Sequence, residues 1–99
     1  MTGRSVSIHP AALEEAVAAT EWYAKRSPRA AGLFLDEIDD AIGRISGHPE
    51  QFPSFDSGTR RAVLRRFPFL IVFREATGSV EIIAVAHGRR KPGYWRDRI

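Results

Sequence analysis

The sequence predicts an α+β fold in which an antiparallel pair of helices packs on a small antiparallel sheet, in the order β-α-α-β-β-β. Two observations lead to this prediction. Between residues 10 and 47 apolar residues recur every three or four positions, which is the spacing of amphipathic helices. Between residues 61 and 87 short apolar and β-branched runs are separated by turn residues, as in hairpins. The 99 residues are enough for one domain, 1–99, with a modest core.

The first half of the chain predicts a short strand and two helices. Val6-Ser7-Ile8 alternates as a strand does, and Pro10 suits the first position of a helix that runs to Arg26. Ser27-Pro28 caps and opens a second helix, which ends at Gly47. The first apolar stripe consists of Leu13, Ala16, Val17, Thr20, Tyr23 and Ala24. The second consists of Ala31, Phe34, Leu35, Ile38, Ala41, Ile42 and Ile45. With almost no loop between them, the helices form a hairpin that needs a further layer to cover its apolar faces.

The second half supplies that layer. Residues 50–59 are rich in Pro, Ser and Gly and are predicted to be a loop. Three strands follow, at 61–65, 69–74 and 80–87, and the short spacings between them favour antiparallel hairpins. In the first of these, Ala62 and Leu64 share one face, while Arg61, Val63 and Arg65 share the other. A short basic tail, residues 88–99, ends the chain.

The charge is divided unevenly along the chain. The net charge is +3, but residues 1–55 carry five cations and eight anions, net −3. Residues 56–99 carry ten cations and four anions, net +6. This division suggests a basic surface that faces an anionic partner, unless the two halves neutralise each other across the fold.

Several function classes find no support in the sequence. There is no cysteine for a disulfide, a thiolate metal site or a thiol nucleophile, and no apolar run long enough to cross a bilayer. Residues 1–8 lack the apolar core of an export signal, so we predict a cytoplasmic protein. His9, His48 and His87 are far apart, so no metal and no cofactor are predicted. The acids of the second helix, and Glu14, Glu15 and Glu21 of the first, are interpreted as exposed helix faces.

The arginines are the most informative group. Arg60, Arg61, Arg65, Arg66, Arg74, Arg89, Arg90, Arg96 and Arg98 all fall on the predicted sheet or the tail. The planar guanidinium grips phosphate or carboxylate in two places. Together with His87 and Tyr94, these cations are a workable set for RNA cleavage without metal, which needs a base, an acid and charge stabilisation at phosphorus. They would serve equally well to bind an acidic protein.

Tyr94 and Trp95 of the tail admit three interpretations. They would form a base-stacking platform, an anchor for a partner, or a plug that closes one end of the sheet, and we favour the plug. Trp22 and Tyr23 of the first helix are predicted to contact the sheet.

The motifs taken in order resemble the RelE/ParE superfamily of toxins from bacterial toxin–antitoxin systems, and most closely its ParE-like, plasmid-stabilisation branch. The resemblance extends over nearly the whole chain, and its last motif is the most specific. The segments that carry it are Ala18 to Tyr23, Phe34 to Ile38, Ile45 to Glu50 with Phe52-Pro53, Arg60 to Phe69, and Ala86 to Trp95.

The resemblance implies a type II toxin that a cognate antitoxin neutralises. ParE proteins poison DNA gyrase, whereas RelE proteins cut mRNA on the ribosome. Residues at places comparable to a RelE-type catalytic site are Arg61, Arg65, Arg89 and Tyr94, with His87 as a further candidate. The residues expected to bind the target are Arg65, Arg89, Arg90, Tyr94 and Trp95.

Three hypotheses follow from the resemblance. The favoured one is a ParE-like inhibitor of gyrase, which is not an enzyme, and the resemblance also implies a hetero-oligomer with the antitoxin. The second is a metal-independent, ribosome-dependent mRNA endonuclease. Where RelE has lysines on its sheet this sequence has arginine or apolar residues, and a permanently charged arginine is a poor proton shuttle. The third is a module that binds antitoxin without being toxic.

Overall fold

The computed structural model describes residues 3–99, and its elements follow the predicted order β-α-α-β-β-β. The strands and helices are β1 (Ser5–Ile8), α1 (Pro10–Arg26), α2 (Pro28–Gly47), β2 (Arg60–Val63), β3 (Phe69–Ala76) and β4 (Ser79–His87). Single turns of 3-10 helix cover Pro49–Gln51, Asp56–Gly58 and Arg96–Arg98. The α+β fold class is therefore confirmed. No helix between residues 3 and 99 has both the length and the apolar character needed to cross a membrane.

Both helices begin where the prolines predict. The ring of His9 accepts a hydrogen bond from the N–H of Ala11 at 3.0 Å, and Pro10 occupies the first turn of α1. The hydroxyl of Ser27 accepts from the N–H of Ala30 at 3.1 Å and caps α2. Ser27 is the only residue between the helices, so the chain reverses at once into the predicted hairpin.

The sheet has the strand order β1-β4-β3-β2. β2, β3 and β4 pair antiparallel, as predicted, but β1 pairs in parallel with β4, which makes the sheet mixed. No tight turn connects these two strands, because the chain passes through both helices, β2 and β3 between them. Parallel strands require such a long connection. The prediction of an antiparallel sheet considered only the short connections between β2, β3 and β4, and it is wrong for β1.

The main core lies between the helices and one face of the sheet. α2 contributes Phe34 and Ile45, which are fully buried, and the sheet contributes Ile71 and Phe73 among others. α1 faces this core with small residues, Ala12, Ala16 and Ala19. Small side chains let a helix approach the sheet closely. Of the larger members of the predicted stripe of α1, Tyr23 packs against the core, whereas Leu13 and Val17 are exposed.

The prediction for the α1 stripe is wrong at its large aliphatic residues. Leu13 is 53% exposed and Val17 is 49% exposed, and Leu35 of α2 is 47% exposed. These three side chains, with Ile8, line an apolar groove of about 320 Å³ between the two helices. The groove is a surface feature rather than core.

The opposite face of the sheet is covered by the tail. Trp95, 1% exposed, packs with Val72, Ile83 and Ala84 in a second buried cluster. Phe55 of the loop before β2 lies beside it, with ring centroids 5.8 Å apart. Trp95 is therefore buried, as the favoured interpretation of a plug expects, but it covers a face of the sheet and not one end of it.

Candidate functional site at the basic end

Three turns meet at one end of the molecule. β2 and β4 end there and β3 begins there, so that Phe69 pairs with His87. The N–H of Gly88 donates to the carbonyl of Pro68 at 2.7 Å and joins the β2–β3 turn to the turn after β4. The ring of Tyr23, in the last turns of α1, lies 5.0 Å from that of Phe67 in the β2–β3 turn and brings the helix bend to the same place. We call this region, residues 25–29, 64–68 and 87–91, the basic end.

A cleft of about 440 Å³ opens at the basic end between α1 and the sheet. Its apolar wall includes Trp22, Tyr23 and Phe69, and its polar wall includes Glu15, His87 and Arg90. Trp22 is 52% exposed, so the predicted contact with the sheet is made by Tyr23 and not by Trp22. The guanidinium of Arg26 lies 3.6 Å from the centroid of the Trp22 ring.

Glu15 joins α1, β4 and the tail at the edge of this cleft. Its carboxylate accepts hydrogen bonds from the N–H of Val85 at 3.0 Å and from the hydroxyl of Tyr94 at 2.7 Å. Arg98 donates to both of its oxygens, at 2.9 and 3.0 Å, and also donates to the carbonyl of Ile83 at 3.1 Å. β1 pairs with β4 only as far as Ile82. Glu15 and Arg98 therefore satisfy the backbone groups of β4 beyond the end of β1.

The network changes the acidity of its members. Burial disfavours the carboxylate of Glu15, but the hydrogen bonds from Arg98, Tyr94 and Val85 outweigh burial and lower its pKa. Burial, and the hydrogen bond to Glu15, raise the pKa of Tyr94 well above its ordinary value. The hydrogen bond to Glu15 raises the pKa of Arg98. Tyr94 therefore stays protonated and Glu15 stays ionised at neutral pH.

Sequence reasoning missed Glu15, which it assigned to an exposed face. A signal was present in its spacing. Ala12, Glu15 and Ala19 lie three and four positions apart and share the buried side of α1. A carboxylate in such a row must find cations, and the tail supplies them.

The other residues of the candidate set surround the turn after β4. The N–H of Arg89 donates to Nδ1 of His87 at 3.1 Å, and the two rings of His87 and Phe69 are 5.1 Å apart. The guanidinium of Arg90 lies 3.7 Å from the centroid of the Tyr94 ring, and its Nη1 is 3.7 Å from the carboxylate of Glu15. Arg89 is exposed and projects from the basic end.

Two predicted residues make their contacts away from Tyr94, although Arg65 belongs to the basic end. Arg61 lies over the ring of Phe55, 4.9 Å from its centroid, on the face that the tail covers. Arg65 follows the end of β2, and its backbone N–H donates to the carboxylate of Glu37 on α2. The contacts of Arg61 and Arg65 within residues 3–99 do not include Tyr94.

The histidines are also apart. His9 caps α1, His48 lies 3.5 Å from Glu50 after α2, and His87 ends β4. Within residues 3–99, no group of three or more His, Cys, Asp or Glu side chains is arranged to hold a metal ion.

Comparison with known proteins identifies the family. The model of the family described as "ParE toxin of type II toxin-antitoxin system, parDE" matches residues 6–92. The chain belongs to the ParE toxin family. The resemblance drawn from the sequence motifs is thus confirmed, and the match to ParE runs from β1 into the start of the tail.

A solved structure has the same fold as this ParE family member. A chain of the structure titled "Chromosomal ParDE TA system from P. aeruginosa" superposes with a TM-score of 0.74 and 22% sequence identity. The superposition covers 85% of this chain and 95% of that one. No curated protein sequence matches the chain significantly.

Proposed function

We propose that this ParE family member is the toxin of a type II pair, that it acts in the cytoplasm by inhibiting DNA gyrase, and that a cognate antitoxin neutralises it. The observation that carries the proposal is the match of the ParE toxin family across residues 6–92. The two surfaces that the fold leaves available, an apolar groove and a basic end, suit a protein partner and an anionic target respectively.

The geometry supports a gyrase inhibitor better than an mRNA endonuclease. A nuclease needs a group that accepts a proton from the ribose 2′-hydroxyl. The hydroxyl of Tyr94 is donated to Glu15 and its pKa is raised, and Nδ1 of His87 already accepts the N–H of Arg89. Arg61 and Arg65 contact other parts of the chain, so the five candidate residues do not surround one reacting point.

The groove between α1 and α2 is the surface that we assign to the antitoxin. Leu13, Val17 and Leu35 are each about half exposed and lie along one channel. An amphipathic helix placed in such a groove buries its own apolar face and covers these three side chains.

The test is expression of the chain in bacteria without its antitoxin. We expect growth to stop, DNA breaks and an SOS response to appear, and translation to continue at first. Purified protein should raise the amount of DNA cleaved in complexes with purified gyrase. Co-expression of the antitoxin, encoded by a neighbouring reading frame, should restore growth.

The two rival hypotheses give different results. An endonuclease would stop translation first and leave mRNA cut within codons. A non-toxic module would bind the antitoxin while growth continued unchanged. Either result contradicts inhibition of gyrase, and only the second contradicts toxicity itself.

A further inference from the structure

The cations at the basic end differ from those elsewhere in the molecule in whether they form ion pairs with carboxylates. Away from the basic end, three arginines face carboxylates: Arg60 and Glu75 are 3.2 Å apart, Arg74 and Glu81 are 2.8 Å apart, and Arg96 donates to Asp56 at 2.9 Å. Arg61, which lies over Phe55, is exposed there without an ion pair within residues 3–99. At the basic end, Arg90 pairs with Glu15 at 3.7 Å, but seven other exposed cations form no ion pair with the described residues 3–99. These cations are Lys25, Arg26, Arg29, Arg65, Arg66, Arg89 and Lys91.

The fold thus concentrates unneutralised positive charge at one end. The bend between the helices contributes the first three of these cations, the β2–β3 turn two, and the turn after β4 two. Three acids of α2, Asp36, Glu37 and Asp40, line a pocket together with Arg65 and Arg66. The carboxylate of Glu37 accepts the backbone N–H groups of Arg65 and Arg66, and both guanidinium groups remain exposed. The net charge of +3 hides this concentration.

The chemistry of the basic end favours nucleic acid over an acidic peptide. A nucleic acid offers a repeating row of phosphates, which cations from separate turns can contact at several points. Five of the seven cations are arginines, whose planar fork suits phosphate oxygens. The half-exposed ring of Trp22, with Arg26 stacked on it, stands beside them and provides an aromatic surface of the kind that nucleic-acid sites use. The apolar groove, on a different surface, already provides a place for a protein.

We propose that the basic end binds the phosphate backbone of DNA directly. The inference rests on the proposed function, because a toxin bound to gyrase is held next to the DNA that gyrase carries. It adds DNA itself as a partner and assigns the contact to the three turns. Binding is expected to be independent of base sequence, because phosphate contacts carry no sequence information.

The experiment measures binding of the full chain, freed from its antitoxin, to a fluorescein-labelled duplex of about 20 base pairs. With about four phosphate contacts, the affinity should fall roughly 100-fold between about 50 and about 200 mM salt. The double variant Arg65→Gln/Arg89→Gln should bind at least about 10-fold more weakly at the lower salt and reduce the slope of log affinity against log salt by about 2. DNA should also quench the fluorescence of exposed Trp22 while leaving that of buried Trp95 unchanged.

The matched control removes the same charge elsewhere. Arg4 and Arg74 lie away from the basic end, because Arg4 precedes Ser5, which pairs with Ser79, and Arg74 pairs with Glu81, both in the first residues of β4. Arg4→Gln/Arg74→Gln should keep the DNA affinity within about two-fold. An equal loss in both double variants would show a general effect of net charge and overturn the proposal.

Other results also contradict the proposal. Absence of salt-dependent binding overturns it, and so does markedly tighter binding of a single-stranded RNA of the same length. If Arg65→Gln/Arg89→Gln lost affinity for the antitoxin and kept its affinity for DNA, the basic end would be a protein-docking surface. Gyrase poisoning without DNA binding would refute this inference and leave the proposed function standing. DNA binding without gyrase poisoning would support this inference and contradict the proposed function.

Discussion

At the scale of single residues, the structure depends on one acid that resembles its exposed neighbours in the sequence. Glu15 connects α1 to β4 through Val85 and to the tail through Tyr94 and Arg98. Its side chain is 15% exposed and that of Arg98 is 14% exposed, so both charges are largely removed from water. Such a pair is favourable only when its remaining hydrogen-bonding groups are satisfied, and here Ile83, Val85 and Tyr94 satisfy them.

Replacing Glu15 by glutamine should destabilise the protein and loosen its tail. The substitution removes the charge that Arg98 faces and weakens the hydrogen bond from Tyr94, so we expect a loss of about 1.5–3 kcal/mol in the free energy of unfolding. Urea denaturation would measure it. Glu14→Gln, at the adjacent exposed position, should change stability by less than about 0.5 kcal/mol. Equal effects at the two positions would contradict the role assigned to Glu15.

The same residue gives a prediction for pH. The pKa of Glu15 is lowered in the folded protein, so its contribution to stability is complete above its ordinary pKa of 4.5 and is lost as the pH falls through the lowered folded value. The difference in unfolding free energy between the wild type and Glu15→Gln should therefore be constant at neutral pH and shrink in acid. A difference that stayed constant down to acid pH would show that the contribution of Glu15 to stability does not depend on its ionisation.

At the scale of elements, the two helices contribute differently to the core. α2 points Phe34, Ile38 and Ile45 into it, in agreement with its predicted stripe, while Ile42 lies at the border with the groove and is only partly buried. α1 contributes alanines and the ring of Tyr23. Its larger aliphatic residues are left on the surface.

Two substitutions in α2 distinguish core from border. Ile45→Ala should cost about 2–5 kcal/mol of unfolding free energy, because the side chain is fully buried and its removal leaves a cavity. Ile42→Ala should cost clearly less, because solvent already reaches that site. Chemical denaturation of both variants checks the order, and a larger loss at Ile42 would contradict the described core.

The tail behaves as an element of the fold. Trp95 is its buried anchor, and Trp95→Ala should cost about 3–5 kcal/mol. In the wild type, acrylamide should quench Trp22 strongly and Trp95 weakly, because their exposed fractions are 52% and 1%. Trp22→Phe isolates the signal of Trp95 for this measurement. Strong quenching of that signal would mean that the tail does not cover the sheet.

Local patterns predicted the two helices, the Ser27 cap and the four strands, since each depends on neighbours in the sequence. The remaining features depend on contacts between distant residues. β1 pairs with a strand more than seventy residues away, and Glu15 meets Arg98 across 83 positions. The periodicity of α1 marked apolar residues but did not indicate that alanines, rather than Leu13 and Val17, face the sheet. For the site, the sequence located the cations but not their distribution between the basic end and the face that the tail covers.

At the scale of the whole molecule, two surfaces of different chemistry remain uncovered by the fold. The groove of α1 and α2 is apolar, and the basic end carries exposed cations that lack carboxylate partners within residues 3–99. The groove is formed along the helices, whereas the basic end is formed by the turns. We therefore expect neutralisation by the antitoxin and action on the target to be separable by substitution.

Leu13→Lys tests this separation. A charge placed in the groove must be desolvated when an apolar helix binds, so we expect the affinity for the antitoxin to fall at least about 10-fold. Leu13 is 53% exposed, and the fold should tolerate the change, leaving toxicity intact and no longer suppressed by the antitoxin. The control is Glu14→Lys, at the adjacent exposed position that does not line the groove. Titration of both variants with antitoxin and growth assays in its presence give the comparison. If the antitoxin neutralised Leu13→Lys as well as it neutralises the wild type, the antitoxin would bind elsewhere. If Glu14→Lys escaped neutralisation to the same extent as Leu13→Lys, the effect would come from charge on α1 and not from the groove.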